Sequence, residues 1–76
     1  MDSGVLFEQG KRYLNEENAK DKEKAFECFL KSAELDHVDG MVNVADCYLN
    51  GIGTEKDEYE AMQWYQKSAN LGDARA

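Results

Sequence analysis

Apolar residues recur along this chain at spacings of three and four, and polar or glycine-bearing stretches break the pattern into four amphipathic helices. Over about 4–15, Leu6, Phe7, Gly10, Tyr13 and Leu14 draw one stripe. Glu16, Glu17 and Asn18 interrupt it, and Asp21 stands where an N-cap would accept the orphan amides of a second helix. That helix is predicted over about 22–35, with Ala25, Phe26, Phe29, Ser32 and Ala33 on its buried face and Cys28 and Leu30 at the margins. The short turn Asp36-His37-Val38-Asp39 leads to a third helix carrying Gly40, Met41, Val42, Val44, Ala45, Tyr48 and Leu49. Asn50-Gly51-Ile52-Gly53-Thr54 ends it, because two glycines accept positive φ and reverse the chain, with Ile52 placed to plug the gap beneath. Asp57 and Glu60 form a capping box for the fourth helix, which is expected to stop at Gly72, just after Leu71.

The helices are copies of one another. Ala25-Phe26-Glu27-Cys28-Phe29-Leu30-Lys31-Ser32-Ala33 returns 36 residues later as Ala61-Met62-Gln63-Trp64-Tyr65-Gln66-Lys67-Ser68-Ala69. Gly10, Tyr13, Leu14 and Asn15 recur 35 residues on as Ala45, Tyr48, Leu49 and Asn50. A period in this range marks helix pairs stacked along an axis. The expected fold is all-α: two stacked antiparallel helix hairpins of an α-solenoid, four helices in one domain over 1–76. Unit one covers about 4–35 and unit two about 36–71, and 72–76 reads as the start of a third unit cut short. Gly10, Ala25, Ala33, Ala45, Ala61 and Ala69 make room where helices approach, and Tyr13, Phe29, Tyr48, Trp64 and Tyr65 are read as core.

Unit two contains Asp36-His37-Val38-Asp39-Gly40, Val44-Ala45, Tyr48, Gly51-Ile52-Gly53-Thr54, Asp57, Ala61, Trp64-Tyr65, Lys67, Ser68-Ala69 and Gly72. These residues resemble the Sel-one-like repeats (SLR), relatives of the tetratricopeptide repeats built from antiparallel helix pairs. Gly40 stands in place of the usual alanine, Val44-Ala45 in place of Leu-Gly and Thr54 in place of valine, and none of these changes alters the period. Unit one lacks the glycine loop and has Asn15-Glu16-Glu17-Asn18 there, so it equally resembles a tetratricopeptide unit. Some cysteine-rich relatives pair two cysteines within one repeat and are assigned penicillin-binding or β-lactamase activity. Cys28 and Cys47 fall in different repeats, so that assignment does not transfer.

Composition narrows the partners. Sixteen acidic residues against nine basic ones leave a net charge of −7, which repels phosphate backbones and anionic headgroups. No nucleic acid and no membrane partner is expected. The segment Met1–Phe7 has neither a basic region nor a long apolar run, so it reads as neither signal peptide nor span, and a cytoplasmic location is the expectation. A chain of 76 residues buries only roughly 60% of its unfolded surface, too little to enclose a deep pocket. With 42% hydrophobic residues and no proline, it still suits a packed helical core.

Candidate chemistry is sparse. His37, between Asp36 and Asp39, suggests a weak metal site, but ligands this close in sequence rarely reach tetrahedral geometry, and a solvated turn explains them better. Gly51 and Gly53 lack the Gly-Lys-Ser/Thr continuation of a phosphate loop. Cys28 and Cys47 lack the C-x-x-C spacing of a reactive pair and read as buried structural thiols. No catalytic residue, cofactor site or metal site is assigned, and no enzyme activity is expected.

Stacked hairpins curve, and their A helices line a face where a peptide can lie. Gln9, Arg12, Asn43 and Asp46 sit off the apolar stripes and are the candidate partner-binding residues. The expected role is that of an adaptor or scaffold binding a protein or peptide, with self-association through an uncapped C-terminal end as a further expectation. The alternative is a regulatory or self-association domain of a larger enzyme.

Overall fold

The computed structural model describes residues 2–15 and 19–75. Four α-helices follow in order: α1 (Ser3–Leu14), α2 (Ala19–Glu34), α3 (Val38–Asn50) and α4 (Glu58–Arg75). α1 and α2 form one antiparallel hairpin and α3 and α4 a second, and α2 stacks against α3. This is the all-α arrangement of two stacked hairpins that the repeat implied.

Local chemistry sets the ends of the elements. The Asp2 carboxylate accepts the Gly4 amide at 2.7 Å and caps α1. α2 ends with the His37 amide donating to the Ser32 carbonyl at 3.2 Å and the Asp36 amide to the Ala33 carbonyl at 2.9 Å. This is a Schellman closure, with Asp36 rather than glycine taking the left-handed φ of 63°. Gly51 closes α3 at φ 67°, and the Ile52 amide donates to the Cys47 carbonyl at 2.9 Å, which folds Ile52 onto the core. Asp57 Oδ1 accepts the Glu60 amide at 3.1 Å at the head of α4. Only half of the capping box forms, because the Asp57 amide that Glu60 would reach donates instead to the Tyr48 carbonyl at 2.8 Å.

Several expected boundaries shift. Asp21 lies inside the first turn of α2, where its charge favours the helix N-terminus, and is not its N-cap. Val38 and Asp39 belong to α3, so the turn between the hairpins is shorter than expected. Gly72 does not stop α4: it lacks the positive φ of Gly51 and Gly53, and the helix runs on to Arg75. Residues 72–75 continue α4 as its last turn. Ala76 lies outside the described residues.

The core is centred on Phe29, fully buried among Ala25, Ala33, Met41, Val44 and Cys47. Glycine at position 10 admits the Phe29 ring, since a Cβ there would lie 2.7 Å from it. Phe7 stacks obliquely on Phe29 at 5.9 Å, and Phe26 meets Tyr48 edge-on at 5.2 Å. Tyr13, Tyr48, Trp64 and Tyr65, read as core from sequence, are only half-buried, and Ala69 is exposed. The cause is common to several of them: among the described residues α4 packs against α3 alone, so its far flank meets no helix.

The glycine loop of unit two has a physical reason. Gly53, at φ 70°, lies on the start of α2, where a Cβ would stand 2.7 Å from the Lys22 carbonyl carbon and 3.0 Å from the Glu23 nitrogen.

Candidate functional site

The four candidate residues do not share one surface. Gln9 is half-buried and Arg12 exposed on α1, where they line a cleft of about 320 Å³ with Tyr13 and, across the hairpin, Asp21 of α2. The Lys24 ammonium sits 5.6 Å from the centre of the Tyr13 ring. The cleft thus offers a guanidinium, an amide, a carboxylate and a phenol edge. Arg12 has no hydrogen-bond or ion-pair partner among the described residues.

Asn43 and Asp46 lie on α3, and internal contacts already occupy them. The Asn43 side-chain amide donates to the Asp39 carbonyl at 2.8 Å, one turn back along its own helix. The Asp46 carboxylate accepts the Tyr65 hydroxyl of α4, and the Asp46 backbone carbonyl accepts the Asn50 side-chain amide at 3.0 Å. The hydrogen bond to Asp46, aided by burial and by the carboxylate's charge, pushes the Tyr65 phenol up to about 12. Asp46 therefore ties the second hairpin together, a role invisible without the pairing of α3 and α4.

Register explains the separation. At the 35-residue offset Gln9 and Arg12 correspond to Val44 and Cys47, both buried against α2, while Asn43 and Asp46 correspond to Glu8 and Lys11. The side of α1 that corresponds to the α2-packed side of α3 is therefore polar. Tyr13 and Asp21, which complete the cleft, were assigned from sequence to the core and to a helix cap. Only the antiparallel hairpin brings residue 21 alongside residues 12 and 13.

His37 differs from its solvated-turn reading. It precedes α3 as N-cap without a side-chain capping bond, its ring lies 5.0 Å from that of Phe7, and its buried Nε2 has no partner. Among the described residues no group of three or more His, Cys, Asp or Glu is placed to hold a metal ion. Both cysteines are free. Burial, reinforced by the charge of Asp46, pushes the Cys47 thiol up to about 11. Burial also raises Cys28, with Lys31 opposing and Glu27 adding to the effect. Both thiols stay protonated at neutral pH, the opposite of an activated nucleophile. No described helix is long and apolar enough to cross a membrane.

None of the curated proteins or solved structures matches the chain. Sel1 repeats are a non-catalytic repeat type and are generally protein–protein interaction modules. The Sel1 repeat model matches residues 4–37 and 38–73, one match to each hairpin, and with two helix pairs stacked in that register the chain belongs to the Sel1 repeat family.

Proposed function

We propose that this chain is a non-catalytic adaptor or scaffold module that binds a protein segment on its helical surface, with the cleft between α1 and α2 as the contact point. The observation that carries this reading is the grouping of Gln9, Arg12, Tyr13 and Asp21 around one open cleft, with the Arg12 guanidinium free of described partners. A mixed set of donor, acceptor and aromatic edge suits a polar peptide segment, and arginine and tyrosine are the residue types that dominate interface energetics.

The test is affinity capture from lysate with the wild-type chain, Arg12→Glu and Asp46→Lys, each first shown to be folded by circular dichroism. A partner lost with Arg12→Glu and retained with Asp46→Lys supports the cleft. Identical capture by all three proteins refutes it.

A further inference from the structure

The loop after α3 ties the second hairpin to the first through Gly53, and the dipeptide that opens it carries covalent chemistry of its own. Of the five asparagines in the chain, Asn50 alone is followed by glycine. A glycine has no Cβ to crowd its own nitrogen, so that nitrogen can reach the side-chain carbonyl carbon of the residue before it and close a five-membered imide. The pair stands at the end of α3, with Asn50 exposed to water.

The fold holds the reacting atoms apart. The Gly51 amide, which would be the nucleophile, donates to the Cys47 carbonyl, and Gly51 sits in the left-handed region at φ 67°. The Asn50 side-chain nitrogen, which would be the leaving group, donates to the Asp46 backbone carbonyl at 3.0 Å. Closing the ring requires ψ of Asn50 to turn out of the helical range, which breaks both bonds. Neighbouring contacts resist that turn. The Ile52 amide donates to the Cys47 carbonyl at 2.9 Å while its side chain packs on the core, and the Asp57 amide donates to the Tyr48 carbonyl at 2.8 Å. Gly53 rests on the Lys22–Glu23 backbone of α2. The pair Asp39-Gly40 could form the same imide, but it lies within α3, with Gly40 buried against Ser32 and no loop there to lift.

We propose that Asn50 is a self-modifying site, gated by lifting of the glycine loop from α2, and that its product leaves the loop loosened. The Gly51 nitrogen, its proton taken by hydroxide, bonds to Asn50 Cγ. The Cγ–Nδ2 bond breaks, and the nitrogen takes a proton from water and leaves as ammonia. Water then opens the imide, its hydroxyl going to a carbonyl carbon and its proton back to the Gly51 nitrogen. Attack at Cγ gives aspartate at position 50, and attack at the main-chain carbonyl gives isoaspartate.

Either product removes the donor to the Asp46 carbonyl and sets a carboxylate at the C-terminal end of α3, one turn from Asp46. No basic residue lies in the last turn of α3, and the nearby Lys56 is already paired with Glu58 at 3.5 Å. Isoaspartate also lengthens the main chain by one methylene directly before Gly51, which displaces Gly53 from α2. The site is separate from the Arg12 cleft, and each stands or falls on its own test.

The full chain is aged in mildly alkaline buffer, folded or in concentrated urea, and sampled by mass spectrometry of the intact chain with fragmentation across 47–53. Product at Asn50 is expected to accumulate about 10- to 1,000-fold more slowly in the folded chain than in urea. Gly53→Ala, first shown to be folded by circular dichroism, should speed the folded-state rate at least about threefold. Ile52→Val, with a smaller plug, serves the same purpose if Gly53→Ala does not fold. The aged wild type should melt below the fresh protein. Asn50→Gln, which keeps the amide but would need a six-membered ring, should stay intact and melt unchanged. Equal rates in buffer and urea, or a folded-state rate indifferent to loosening of the loop, overturn the gate. A folded chain that stays intact beyond the stated range overturns the site, and aged wild type that melts with the fresh protein overturns the consequence.

Discussion

Replacing Gly53 by alanine tests whether the loop after α3 is held by contact with the preceding hairpin or only by its own turn geometry. Gly51 supplies the internal control. Both glycines take positive φ, 67° and 70°, so alanine at either carries the same left-handed strain of about 1–2 kcal/mol. Their surroundings differ. A Cβ at position 51 meets only ordinary contacts, the nearest at 3.6 Å, whereas one at position 53 is driven into the Lys22–Glu23 backbone at 2.7–3.0 Å. Backbone cannot rotate out of the way as a side chain does, so overpacking adds about 1–3 kcal/mol at position 53 alone. Gly53→Ala should therefore cost about 2–5 kcal/mol, against a total stability on the order of 4–11 kcal/mol for a chain this size. Urea unfolding followed by the fluorescence of Trp64, the only tryptophan, measures both variants, with an unchanged m-value certifying a change in stability. If Gly53→Ala costs no more than Gly51→Ala, the loop does not rest on α2.

Four further outcomes are expected. Phe29→Ala should cost about 3–5 kcal/mol in the same assay, whereas Tyr59→Ala, at a 65% exposed position, should stay within about 0.5 kcal/mol. Tyr65→Phe removes the bond to Asp46 and should cost about 1 kcal/mol, partial exposure tempering a charged hydrogen bond. Because the folded-state pKa of Tyr65 is raised from the ordinary phenol value of 10.0 to about 12, its contribution is complete below pH 10 and fades as pH climbs through about 12. An alkaline melting series should therefore show wild type converging on Tyr65→Phe, and parallel curves would refute the assignment. Iodoacetamide at pH 8 should label Cys28 before Cys47, whose thiol is buried and pushed up to about 11, as peptide mapping of a time course would show. His37→Phe keeps an aromatic ring against Phe7 while deleting the partnerless Nε2, so it should raise stability by about 1 kcal/mol, and a lower melting temperature would contradict that.

The period of the sequence determined the fold class, because stripes at three- and four-residue spacing and an internal repeat leave few arrangements that bury both units. It also determined the glycine turn after α3 and the Asp57 cap, both written in local chemistry. The tertiary structure alone decided which of the repeated positions are buried. Ala33 and Ala69 carry the same side chain in the same register, yet one lies beneath α3 and the other faces outward, since burial depends on whether a neighbouring helix is present. The candidate site divided for the same reason. Off-stripe positions look alike along a helix, but pairing commits Asp46 to Tyr65 while it leaves Arg12 beside Tyr13 and Asp21 in an open cleft. Intrahelical spacing records which residues share a face, and only the packing of one helix on another settles what that face meets.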